Sequence, residues 1–157
     1  MNDLKNDSVK EDGSRQILLS QGCSASVFNQ KQIRQIKFVC KNRESRNFKL
    51  DTRTGLTTFT GKSNTTFKVL FQFGLQTKTA FPCEVQSFVN VNNTTEIKDT
   101  NSIITISLIP NVKQQVVLHD YVTLHKNDVI SLGGFLKEGL SQSMIYSDIY
   151  AEFYSTS

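Results

Sequence analysis

The stretch from Thr66 to Leu75, TFKVLFQFGL, constrains this chain more than any other. Phe67, Val69, Phe71 and Phe73 fall on one side of a two-residue period, and Lys68, Leu70 and Gln72 on the other. Side chains alternate in this way across a strand and not around a helix, so the run is a strand with an aromatic face to bury. One strand cannot bury a face. It needs a sheet beside it and a second layer above it. No stretch of helical period offers that layer, whereas 11 Phe and abundant Val, Ile and Thr favour more sheet.

The remaining runs keep the same rhythm. Gln32 to Cys40 reads as a strand with a slip between Ile33 and Ile36 that marks a bulge, and Lys41 to Asn47 as a charged loop. Phe48–Leu50 and Leu56–Phe59 are short strands around a turn at Asp51–Gly55. Further strands are Glu84–Val91, Ser102–Ile109, Val116–Leu124, Val129–Leu132 and Ile145–Tyr154. His125–Asp128 reads as a turn and Gly133–Ser143 as a loop. About eight to ten short strands with turn signals between them make a sandwich or barrel, and 157 residues suffice for one core. Residues 1–16 lack periodicity, so 1–30 reads as a partly flexible arm ahead of an all-β domain over 31–157.

Charge is polarised along the chain. The net charge is +4, yet residues 31–53 hold eight cations against Glu44 and Asp51, while 119–157 hold Lys126 and Lys137 against five carboxylates. Lys41, Arg43, Arg46, Lys49 and Arg53 are therefore candidates for contact with a glycan, a nucleic acid or an acidic protein. A solvated edge guarded by cations is the competing reading. Residues 1–15 sum to −1, unlike the basic arm of a coat protein that packages RNA.

Catalytic patterns are missing. His119 and His125 are the only histidines, and no HExxH, GxSxG or phosphate-binding glycine loop occurs. A double-sheet barrel enzyme of the cupin kind needs more histidine ligands than these two. Cys23, Cys40 and Cys83 have no CxxC spacing and read as reduced thiols, or as one bridge with a thiol left over. Asp128 reads as a turn cap rather than a calcium ligand, since no DxDxDG run surrounds it. No cofactor is expected. No apolar run approaches the ~20 residues of a membrane span, and the N-terminus has no signal-peptide character.

Three pieces carry a family resemblance: Phe48-Lys49-Leu50 turning into Gly55-Leu56-Thr57-Thr58-Phe59; a Gly61 turn into Phe67–Phe73; and Leu124-His125-Lys126-Asn127-Asp128-Val129-Ile130-Ser131-Leu132 followed by Tyr146–Phe153. Over residues 33–155 the chain resembles the jelly-roll superfamily of tumour necrosis factor and the complement globular head. Asn127 stands where that pattern has Gly, a substitution that Asn tolerates in a left-handed turn. The resemblance implies a single jelly-roll β-sandwich without enzyme activity, trimerising about a threefold axis. Phe71, Phe73, Tyr121, Tyr146, Tyr150 and Phe153 are then the expected trimer interface.

These readings converge on a non-enzymatic virion structural protein: a capsid, decoration or attachment subunit made in the host cytoplasm. It would be a homotrimer whose arm contacts neighbouring virion proteins. The alternative is a soluble trimeric receptor- or glycan-binding module.

Overall fold

The computed structural model describes residues 15–30, 32–36, 40–43, 46–51, 53–78, 81–92, 94, 96–97 and 102–156, with the backbone alone at 15, 18–24 and 40–43. Eleven strands follow in order: β1 (Arg15–Phe28), β2 (Ile33–Ile36), β3 (Cys40–Arg43), β4 (Phe48–Asp51), β5 (Leu56–Phe59), β6 (Thr65–Thr77), β7 (Cys83–Val91), β8 (Ile104–Leu108), β9 (Gln114–Leu124), β10 (Val129–Glu138) and β11 (Gln142–Ser155). There is no helix among the described residues. The first sheet has the order β3-β1-β11-β6-β9. The second has the order β4-β5-β10-β7-β8, with β2 also on β10. All strand pairs are antiparallel. From β5 onward the chain changes sheet at every connection except the β7–β8 hairpin, which makes the all-β sandwich a jelly roll.

The core follows from the alternation on β6. Phe67, Val69, Phe71, Phe73 and Leu75 all point between the sheets and are buried. Phe48 from β4 and Phe59 from β5 close over them. Their rings meet at 5.4 Å, and Phe48 lies 4.4 Å from Phe153 of β11. A second aromatic group forms nearer the other end, where Tyr146 stands between Phe28 at 6.1 Å and Phe73 at 5.3 Å. Fully buried aromatic pairs in such tilted geometry each add about 0.5–1.5 kcal/mol beyond their area.

Three sequence expectations change. First, residues 15–28 are not an arm. β1 pairs with both β11 and β3, so Arg15–Phe28 belong to the sandwich, and residues 1–14 of the expected arm lie outside the described residues. Second, Gln32–Cys40 is not one strand: β2 lies in the second sheet and β3 in the first. Third, Gly133 and Gly134 do not break the chain. β10 runs through them because each glycine makes room for a ring. A methyl at Gly133 would come within 2.7 Å of the Phe88 ring on the outer face, and one at Gly134 within 2.5 Å of Phe28 and 2.8 Å of the Tyr146 hydroxyl on the inner face.

The connections sort to two ends. The turn after β9 is tied to the turn after β5, with Asn127 N–H donating to the Phe59 carbonyl at 2.7 Å and Lys126 N–H to Ser63 Oγ at 3.0 Å. The end of β7 joins them through Asn92 N–H and the Val129 carbonyl at 2.8 Å. At the opposite end the turn after β8 meets β6 through Asn111 N–H and the Thr77 carbonyl at 2.8 Å. There Thr77 Oγ1 donates to Gln142 Oε1 at 2.6 Å, at the start of β11.

Candidate interaction surfaces

A bulge on β11 decides which aromatics reach the surface. The β11–β6 register slips between Ser147 and Tyr150, and Asp148 has φ +48°. Before the bulge Met144 and Tyr146 face the core; after it Ile149, Ala151 and Phe153 do. An extra residue in one strand inverts the phase of all that follows. Four of the six expected trimer-interface residues are therefore interior. Phe71, Phe73, Tyr146 and Phe153 fill the protomer's own core and offer nothing to a neighbour. Tyr121 is exposed, at 64%, and Tyr150 is half-buried on the outward side.

The outward face of the first sheet is built from the residues opposite those core positions. Register places three rows across β11, β6 and β9: Tyr154–Lys68–Tyr121, Glu152–Leu70–His119 and Tyr150–Gln72–Val117. Tyr121, Val117 and Tyr154 are among the large apolar or aromatic residues left exposed. Glu152 is buried in their midst. The Tyr150 hydroxyl donates to one carboxylate oxygen at 2.9 Å and the Tyr154 hydroxyl donates to the other. The carboxylate thus ties two phenol hydroxyls together, with Leu70 and Val117 in the same rows of the sheet.

A cleft of about 500 Å³ opens between β7 and β9, with Tyr121, His125, Asn92 and Thr94 on its walls. Its two carboxylates are committed to the backbone. Asp120 accepts from Tyr121 N–H at 2.7 Å and from Ser102 N–H and Oγ at 3.3 and 3.2 Å. Asp128 accepts from His125 N–H at 2.8 Å and Asn92 Nδ2 at 2.9 Å, the turn cap that its position implies. Asn127 adopts φ +77°, the left-handed conformation in which it replaces Gly. His119 lies on the outward sheet face and His125 at the turn. Among the described residues no group of three or more His, Cys, Asp or Glu side chains could hold a metal ion.

The basic segment lines the other edge of the sandwich. Lys41 and Arg43 belong to β3, the edge of the first sheet, and their side chains lie outside the described residues. Lys49 is exposed on β4, the edge of the second sheet; Arg46 is exposed just before it. Arg53 reaches Asp51 only at 3.9 Å across an open turn. Sequence reasoning found the cluster but not its placement on two adjacent sheet edges, and it missed Glu152, which no motif marks.

Cys83 and Tyr146 are buried titratable groups. Burial pushes the Cys83 thiol up. Burial also pushes the Tyr146 phenol well above its ordinary value, and its hydrogen bond with Ser87, at 3.2 Å, offsets only part of that. Neither group is poised as a nucleophile near neutral pH.

The architecture defines a jelly roll of the tumour necrosis factor and complement globular-head type. The chain matches no protein-family model and no curated protein. Among solved structures it is similar to the globular domain of zebrafish complement 1qA protein, with 14% identity over 90% of this chain and 96% of that one, at a TM-score of 0.50. It is similar also to murine APRIL at pH 5.0, with 10% identity over 89% of this chain and 98% of that one, at a TM-score of 0.54.

Proposed function

We propose that this protein is a non-enzymatic recognition module that assembles as a homotrimer through the outward face of the β3-β1-β11-β6-β9 sheet. The observation that carries the reading is the Tyr150–Glu152–Tyr154 group with Tyr121 and Val117 beside it. Exposed aromatics around a satisfied, buried polar group have the composition of an interface centre, where aromatic residues are enriched and free charges depleted. The sheet edges remain for a ligand. Lys49, Arg46 and Arg53 suit an anionic glycan or an acidic protein surface.

Two settings accommodate such a module. A free receptor- or glycan-binding protein is supported by the fold likeness to the complement 1qA globular domain and to APRIL. The narrower setting expected from the sequence is a virion subunit holding neighbours through residues 1–30; of these, 15–28 are occupied in the sheet. We favour the first. The experiment is sedimentation equilibrium of the full chain at micromolar concentration, followed by glycan-array binding at low salt. A trimer that binds sulfated or sialylated glycans, and loses them on Arg46→Ala/Arg53→Ala substitution, supports the reading. A monomer at that concentration contradicts it.

A further inference from the structure

Nine large hydrophobic side chains are exposed among the described residues, and their distribution is uneven. Val117, Tyr121 and Tyr154 belong to the outward sheet face. Ile103 stands near the end that carries Asn127. The other five, Val27, Phe81, Ile109, Val112 and Leu140, gather at the opposite end, at 46–60% exposure. They come from separate segments: Phe81 between β6 and β7, Ile109 and Val112 after β8, Leu140 between β10 and β11, and Val27 at the end of β1.

The contacts place these segments side by side. Val27 is opposite Ser143 in the ladder, and the Gln30 side chain donates to the Gly139 carbonyl at 2.5 Å. A methyl at Gly139 would come within 2.8 Å of Cys83 Cβ, two residues from Phe81. Asn111, between Ile109 and Val112, is bonded to Thr77 of β6. A shallow depression joins Pro82 and Cys83 to Ile109 and Gly139. The exposed apolar residues thus lie on neighbouring segments at one end of the sandwich.

Cations accompany them. Lys78 precedes Phe81, Lys113 follows Val112 and Lys137 precedes Leu140, and all three are exposed. Arg34 Nε donates to the Val27 carbonyl at 3.0 Å. Against these four stand Glu84 and Glu138. Like charge disfavours docking this end onto a second copy of itself. Exposed apolar side chains on neighbouring segments, with cations close to them in the chain, suit a surface that is soft, apolar below and anionic above.

We infer that this end of the sandwich docks on anionic lipid bilayers, with Phe81, Ile109, Val112 and Leu140 entering the headgroup–acyl boundary and the lysines pairing with lipid phosphates and carboxylates. Phe81, Ile109, Val112 and Leu140 lie between strands and off the sheet face proposed for self-assembly, so the docking does not depend on it.

The chain has no Trp, so a Phe81→Trp variant carries a single reporter. It is mixed with phosphatidylcholine vesicles, and with vesicles containing about 30 mol % phosphatidylserine. Blue-shifted emission and co-sedimentation with the anionic vesicles are expected. A Leu140→Ser/Ile109→Ser change should weaken partition about tenfold, by removing about half of the inserted apolar area, with the thermal midpoint as a folding control. Lys78→Glu/Lys137→Glu, which touches no core residue, should weaken it on anionic vesicles alone. Absence of co-sedimentation with both vesicle types overturns the inference. So does binding unaffected by both double variants, or an emission shift that appears without lipid as the protein is concentrated, which would mark a second copy as the occupant.

Discussion

Tyr146 and Tyr150 stand four residues apart on β11 and face opposite sides of its sheet. Even spacing on a strand ordinarily keeps two side chains on one face. Here the bulge at Asp148 intervenes, so Tyr146 shares a hydrogen bond with Ser87 inside the sandwich while Tyr150 donates to Glu152 outside it. One strand therefore serves the core with Met144 and Tyr146 before the bulge and with Ile149, Ala151 and Phe153 after it.

The two tyrosines should separate stability from assembly. Tyr146→Ala should cost about 3–5 kcal/mol of unfolding free energy, as large aromatic truncations in a closed core do. Tyr150→Ala should cost under about 1 kcal/mol and instead raise the dissociation constant of the oligomer. Urea titration and sedimentation equilibrium on the same samples check this. Equal losses of stability in the two variants would contradict the opposed orientation.

Tyr121 should matter for association alone. Tyr121→Glu places a charge on the outward face without touching the core, and like charges repel across a symmetric interface. The expected mass falls to the single-chain value of 17.7 kDa with an unchanged circular dichroism spectrum.

Gly134 should tolerate no side chain. Gly134→Ala drives a methyl toward Phe28 and the Tyr146 hydroxyl, and overpacking of this kind costs about 1–3 kcal/mol. The thermal midpoint should drop, and a Gly134→Ala/Phe28→Leu pair should recover part of the loss. A variant as stable as the parent would mean that β10 does not pass so close to these rings.

Alkaline pH should weaken the fold. The buried Cys83 thiol and Tyr146 phenol both hold their protons more tightly in the folded chain than in the unfolded one. Above the ordinary thiol value of 9.0 the unfolded chain binds fewer protons than the folded one, so stability falls as pH rises further. Below it, these two groups leave stability level. Urea midpoints at about pH 7 and about pH 10 measure the difference, and Tyr146→Phe should flatten the slope.

The turn at Asn127 should prefer glycine to alanine. Asn127→Ala keeps a β-carbon at φ +77° but removes the polar side chain that lets Asn adopt it, and should cost about 1 kcal/mol, whereas Asn127→Gly should be close to neutral. Chemical denaturation of the pair decides it.

How much of this was legible depended on whether pattern or exception ruled. The β6 alternation foretold which residues share one buried face, because each side chain obeys the two-residue period from Phe67 to Phe73. The Asp128 cap was legible because an Asx side chain in a turn has few other partners. The interface set misplaced Phe71 and Phe73, because alternation shows that a face is apolar and not what covers it, and Tyr146 and Phe153, since a bulge leaves no mark in composition yet inverts every residue beyond it. Gly133-Gly134 looked like punctuation, but their small size serves ring packing across both faces of a continuous strand. β1 was missed because Ser20 to Ser26 is small and polar; its pairing on both sides holds it in the sheet without a strong pattern of its own.

Asp120 turns its carboxylate back onto the N–H of Tyr121 on β9, an end strand of its sheet. That N–H is a donor a foreign strand would otherwise seize. With the donor already spoken for, one rung of this edge is withdrawn from pairing. A strand from another copy that approached this edge would find that rung of the ladder already closed to it.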